Sequence, residues 1–121
     1  MIQRVGLVYD PIYLEHDTGN HVEQANRLRA IMGLLEQEHI LEKLILLKPR
    51  PATVDEIKLA HASEHITRVE NMAKLGGGWL DADTVVSPRS YEVALYAAGG
   101  VLTAVDAVLK REVNSAFALV R

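Results

Sequence analysis

Cysteine is absent from the sequence. Disulfide scaffolds, cysteine-based zinc fingers and thiol nucleophiles are excluded together, and the lack fits a reducing, cytoplasmic interior. Basic runs are missing as well. Lys and Arg never cluster beyond pairs such as Lys110-Arg111, the two signs are mixed along the chain, and the net charge is -3. With no basic stripe, nucleic acid has no electrostatic footprint here. No apolar run approaches the roughly 18 residues needed to span a membrane. Met1-Ile2-Gln3-Arg4 leads straight into an apolar strand and not into a signal-peptide pattern. G-x-S-x-G, Walker A and G-x-G-x-x-G motifs are lacking, as are internal repeats and linkers. What is present is one ordinary domain, residues 1–121, with 49% apolar and 24% charged residues, the composition of a globular protein.

Val5 to Tyr9 is a short apolar run closed by Asp10-Pro11, a buried strand and its turn. A polar loop follows to Asn20. Asn20 can cap a helix, with Glu23 three positions on to reach back to the cap amide. Ala25, Leu28, Met32 and Leu35 then recur at helical spacing, leaving Arg27, Arg29 and Glu36 off the apolar face. Leu44 to Leu47 is a second strand, ended by Lys48-Pro49. Thr53-Val54-Asp55-Glu56 is a capping box. Ser63 is a candidate cap for a helix that turns Ile66, Val69 and Met72 inward and stops at Gly76-Gly77-Gly78. Residues 76–86 read as a loop rich in Gly and Asp.

Ser87-Pro88 opens the longest helix, which runs to about Lys110, with Pro at the first helical position. This helix is apolar almost all round, and Gly99-Gly100 lets a neighbouring backbone come close. Ser115 to Arg121 is a continuous apolar run after a long helix, the pattern of a parallel strand covered on both faces. Alternating strands and helices predict a layered α/β fold with a parallel sheet. Ligands in such sheets bind just beyond the carboxyl ends of the strands. The chain stops where such a loop is due, so a fragment of a longer protein is expected.

The histidines are the main candidates for chemistry. His61-Ala62-Ser63-Glu64-His65 matches the H-x-x-E-H string of one zinc-protease class. That chemistry needs both imidazoles on one helical face, with the Glu as general base. Ser63 as a cap would leave His61 outside the helix, and His65 heads an ordinary core face, so a structural role is favoured. His16, Asp17, His21 and Glu23 form a second cluster. It either lines a substrate rim or holds a metal loosely, or it is simply a capping Glu, a turn-forming Asp and solvated histidines. For metal binding the local reading is preferred. His39 lies near a helix end, where a cation suits the dipole. Asp81 and Asp83, paired at i, i+2, can bind cations or form a turn; without a third ligand the turn wins. Arg27 is solvated by default, or else it faces a cavity as an anion site.

Val8-Tyr9-Asp10-Pro11, then His21-Val22-Glu23 through Arg27-Leu28, resembles the opening of bacterial histone-deacetylase-like proteins. Ala60-His61 to Val69 is similar to a helix of that family. Asp83-Thr84, Ser87 to Tyr91, Ala97-Ala98-Gly99-Gly100 and Ala104 to Val108 follow its long helix almost residue for residue. The likeness runs through the whole chain in order and extends to the acetoin-utilisation proteins. It departs at Val22, where a Pro is usual, and at His65, where an aromatic is usual.

The resemblance implies the arginase–deacetylase fold, a three-layer α/β/α sandwich with a parallel sheet, incomplete in this chain. It implies hydrolysis of N-acetyl-lysine, acetylpolyamines or similar acetylated amines by zinc-activated water, with a histidine pair as acid and base. Zinc ligands and the histidine pair belong to a Pro-Pro-Gly-His-His segment and later residues, beyond Arg121. This chain alone is therefore expected to lack zinc and activity. Arg27 matches the family arginine of an internal channel, and the loops holding His16, Asp17, His21, Glu23, Asp81 and Asp83 match rim loops. A chain of this kind would expose a sheet edge at Phe117 to Val120 and an apolar helix back, so homo-oligomers are expected. A non-catalytic self-associating module is the alternative reading.

Overall fold

A computed structural model describes residues 3–121; Met1 and Ile2, where the signal-peptide reading begins, lie outside them. In chain order the elements are β1 (Val5–Val8), a 3-10 turn (Pro11–Glu15), α1 (Asn26–Gln37), a second 3-10 turn (Leu41–Lys43) and β2 (Ile45–Leu47). There follow α2 (Val54–Ile57), α3 (Ser63–Lys74), β3 (Gly78–Asp81), β4 (Thr84–Val86), α4 (Ser90–Leu109) and β5 (Ser115–Ala118). The sheet is parallel, in the order β2-β1-β5. Gly6 pairs with Ile45 on one side and Ala116 on the other, which makes the first strand the central one. Its residues Leu7 and Val8 are buried, as the apolar run predicts.

Helix α4 packs on β1, β5 and the 3-10 turn after β1. It turns Val93, Gly99, Gly100, Ala104 and Ala107 inward. Leu7, Tyr13, Leu28, Val93 and Leu119 form one core cluster, which α1 flanks with Met32 and Leu35. By length and composition alone α4 could cross a membrane, a property the reading of apolar runs underrated. The helix packs on the strands along one side and leaves Val101, Val105 and Leu109 exposed on another. Gly99 lies against the 50–52 backbone, where Ala52 N–H donates to Leu95 O at 2.8 Å.

Several local expectations hold. Thr53 and Glu56 exchange both bonds of a capping box. Arg50 grips Glu56 with two 2.9 Å bonds, and this pairing, with the Thr53 amide, holds the Glu56 carboxyl down at about 2. Helix α3 ends where glycine permits left-handed backbone: Gly77, at φ 107°, donates to Met72 O at 2.9 Å.

Others need correction. Helix α1 starts at Asn26 with Ala25 as its cap, six residues after Asn20, because Glu23 is engaged elsewhere. Ala62, not Ser63, precedes α3, and Ser63 is its first residue. The 76–86 loop is a hairpin: β3 and β4 pair antiparallel around a turn in which Asp81 accepts the Asp83 amide at 2.8 Å. Helix α4 begins at Ser90 and not at Pro88, since residues 87–90 first close a turn through Ser90 N–H to Ser87 O. Among the described residues β5 is an edge strand with Phe117 61% exposed, not a strand covered on both faces.

Candidate functional site

The loop that follows β1 meets the carboxyl end of β5 through one side chain, Arg121, whose side chain is only 2% exposed. Its guanidinium donates to Tyr13 O at 3.0 Å and His16 O at 2.6 Å, and it grips the Glu23 carboxylate at 2.7 Å. Arg27 donates to the same carboxylate from one helical turn further on. The bonds from Arg121 first, then those from Arg27, hold the Glu23 carboxyl below its ordinary range. Among the described residues Arg27 is not free: it is half exposed and paired with an acid.

His16 is half-buried and joins a directed chain of bonds. Asp17 N–H donates to Ser87 Oγ at 3.0 Å, and Ser87 Oγ lies 2.8 Å from Ser90 Oγ. Ser90 Oγ, itself buried, lies 2.6 Å from His16 Nδ1 and also accepts Ser87 N–H. The arrangement that satisfies every donor runs from the amide through both hydroxyls to Nδ1, with the imidazole proton on Nε2. Burial, with Arg121 beside it, holds the imidazole below its ordinary range, which agrees with a neutral ring. Tyr13, fully buried, donates to Tyr96 O at 2.6 Å, and burial pushes its phenol up.

His21 ties the loop to the hairpin. Its Nδ1 accepts Glu23 N–H at 2.9 Å, so Nε2 donates to Asp83 at 2.8 Å. Asp17 forms the expected turn by accepting Gly19 N–H. The residues read from sequence as a rim thus converge on one loop cluster, with Asp81 shaping the turn beside it. Two hollows border the cluster. A polar cleft of about 510 Å³ runs past His16, Asp17, Arg29 and Arg89. A largely apolar one of about 280 Å³ lies between Val93, Leu80 and Val86 and reaches His16, Ser90 and Arg121.

Arg121, Ser87 and Ser90 were not singled out in the sequence. Arg121 is 98 positions from Glu23, and nothing local marks the partnership. The H-x-x-E-H string falls apart as a helical pair because His61 precedes α3. The two rings nonetheless lie 5.5 Å apart. Among the described residues no three His, Asp or Glu side chains gather where they could hold a metal ion.

A parallel sheet with polar side chains gathered beyond its strand ends defines the α/β class of enzymes and binding proteins. The model of the histone deacetylase domain matches residues 21–121, and the chain belongs to that family. It is 36% identical over 104 residues to a probable deacetylase of Methanothermobacter thermautotrophicus, covering 86% of this chain and 31% of that protein. It is 35% identical over 114 residues to histone deacetylase 8 of Arabidopsis thaliana, covering 93% and 30%. A histone deacetylase-like amidohydrolase of Pseudomonas aeruginosa is 27% identical over 139 residues, covering 100% and 37%. The crystal structure of the HDA15 HD domain superposes with a TM-score of 0.90 at 26% identity, over 98% of this chain and 35% of that one. The chain spans about a third of the length of the curated relatives it matches. The incomplete arginase–deacetylase fold expected from the sequence is the fold observed.

Proposed function

We propose that these residues build the entrance side of a zinc-dependent deacetylase acting on N-acetyl-lysine, acetylpolyamines or similar acetylated amines. The observation that carries the reading is the Arg121 clamp, which fixes the loop of His16, Asp17, His21 and Glu23 at the strand ends where α/β sheets bind ligands. Zinc does not fit the residues present, since no three ligating side chains converge among those described. This chain's own part is positional. Glu23 anchors Arg27, the Ser87–Ser90–His16 chain sets the loop's inner wall, and the His21–Asp83 bond sets its outer one.

The test is a chimera in which these 121 residues replace the matching third of the Methanothermobacter relative. Zinc-dependent cleavage of acetyl-lysine by the chimera, with none by the 121-residue chain, is the expected result. A folded but inactive chimera, or turnover by the short chain itself, overturns the reading.

A second reading concerns assembly. Val101, Val105 and Leu109 of α4 are exposed beside Ala116 and Ala118 and leave a groove of about 360 Å³ at the open edge of β5, where Phe117 is also bare. Unpaired edges flanked by apolar surface pair readily. Sedimentation should show dimers or larger species of the 121-residue chain, and Phe117→Glu should shift them toward monomer. A wild-type chain that stays monomeric at high concentration removes this reading.

A further inference from the structure

His16 holds the loop after β1 at two points. Its backbone carbonyl takes a 2.6 Å bond from Arg121, and its ring reaches the start of α4 through Ser90. Two hydroxyl protons fill the two links of that chain, Ser87 to Ser90 and Ser90 to Nδ1. A proton added at Nδ1 would meet the Ser90 proton head-on, so both hydroxyls would have to turn round. Ser87 Oγ would then accept from Ser90 and from Asp17 N–H at once, and its own proton would have no partner in the chain. The added charge is unwelcome as well. Arg121 faces the ring from the end of β5 with its side chain 2% exposed, and Glu23 is already gripped by two guanidinium groups. Asp17, on the same loop, is the other carboxylate that favours an imidazolium. Glu15, Arg29 and Arg89 line the polar cleft on one side of the ring, and the hairpin and α3 turn uncharged side chains into the hollow on the other.

We propose that His16 is a pH-sensitive latch. As a neutral acceptor it fastens the loop after β1 to the start of α4; protonated, it leaves Ser90 for the polar cleft, where Glu15 and Asp17 meet its charge. The ring borders both the polar cleft and the apolar hollow, so its departure reshapes both. Burial first, then Arg121, holds the imidazole below its ordinary range. The folded ring therefore titrates lower than the unfolded one. Its contribution to stability is complete above the ordinary imidazole value, about 6.5, and is lost as pH falls through the lower folded value. The latch does not depend on the deacetylase reading, and its test needs no turnover.

Proton NMR of the 121-residue chain, titrated between about pH 7.5 and about pH 4.5, tests the latch. The His16 ring signal should show a midpoint below about 6.5. The Asp17 amide signal should move with the same midpoint, because its bond to Ser87 Oγ belongs to the same chain. The nuclear Overhauser contact between the His16 ring and Ser90 should vanish below that midpoint. His16→Asn supplies a non-titrating acceptor near the position of Nδ1, and in it the movement of the Asp17 amide at the wild-type midpoint should be lost. A His16 midpoint at or above the ordinary value, or none within the range, overturns the proposal. So does a His16–Ser90 contact that persists in the protonated state, or an Asp17 amide that still moves at the wild-type midpoint in folded His16→Asn. Should that variant fail to fold, the wild-type titration and the Ser90 contact decide by themselves.

Discussion

Replacing Gly99 with alanine should cost this chain about 3 kcal/mol or more, the upper end of what overpacking does. A Cβ built there would stand 1.8 Å from Arg50 O, 2.6 Å from Ala52 N and 2.7 Å from the Pro51 carbonyl carbon. All three are backbone atoms, so no side chain can swing aside. Relief requires α4 to move away from the 50–52 segment. That movement breaks the bond from Ala52 N–H to Leu95 O and exposes Ala52, which is 4% accessible. Urea unfolding followed by circular dichroism should show the midpoint lowered by roughly 1.5 M. Gly33→Ala is the matched control. Nothing lies within 4 Å of its added methyl on the exposed side of α1, so the gain in helix propensity should raise stability by up to about 1 kcal/mol. Equal midpoints for Gly99→Ala and wild type would show that the close approach is not maintained in solution.

Arg121→Ala is the second large effect. It removes charge-assisted bonds to Glu23, Tyr13 O and His16 O from a nearly buried position. Breaking a fully buried pair costs several kcal/mol, but Glu23 is 38% exposed and keeps Arg27. About 2 kcal/mol is the expected loss, a fall in Tm of roughly 6–10 °C for a chain this size. Arg121→Lys keeps the charge and loses the fork, so it should recover only part of the loss.

The pH dependence has a definite sign. The folded Glu23 carboxyl titrates lower than in the unfolded chain, chiefly because Arg121 bonds to it. Its contribution is therefore complete above the unfolded carboxyl value, about 4.3, and is lost as pH falls through the lower folded value. Between roughly pH 3 and 5 the stability of Arg121→Ala should fall less steeply than that of wild type. Parallel curves would mean that Glu23 is held by Arg27 alone.

What could be read in the sequence was what neighbours in sequence decide. The Thr53–Glu56 box, the glycine stop after α3 and the apolar runs of β1 and β2 depend on residues a few positions apart, and each was found where expected. Gly99-Gly100 gave away the close approach without naming the 50–52 segment as its partner. The start of α1 was misplaced because Glu23, which spacing assigns to the Asn20 cap, is drawn off by Arg121 across 98 positions. A carboxylate offered two guanidinium groups does not settle for a backbone amide. The 78–86 hairpin was legible but overlooked. Trp79-Leu80 and Thr84-Val85-Val86 are strand-formers flanking an Asp-Ala-Asp turn, and the surrounding glycines hid the pattern. The candidate rim residues do gather in one cluster, yet the bonds from His16 to Ser90 and from His21 to Asp83 span 74 and 62 positions. No short-range rule reaches so far.

The same long reach governs how such a sheet comes into being. The central strand is made well before the residues that pair along one of its sides, which come 110 positions later, as the bond from Arg4 N–H to Asn114 marks. At roughly 5–20 residues per second, synthesis leaves β1 without that partner for roughly 5–20 seconds. During that interval Leu7 and Val8 have only β2 and α1 for company, and one flank of the strand stays unpaired. Long-range parallel pairing is intrinsically slow to form. A pairing across so many positions should therefore be among the later events in the assembly of the sheet.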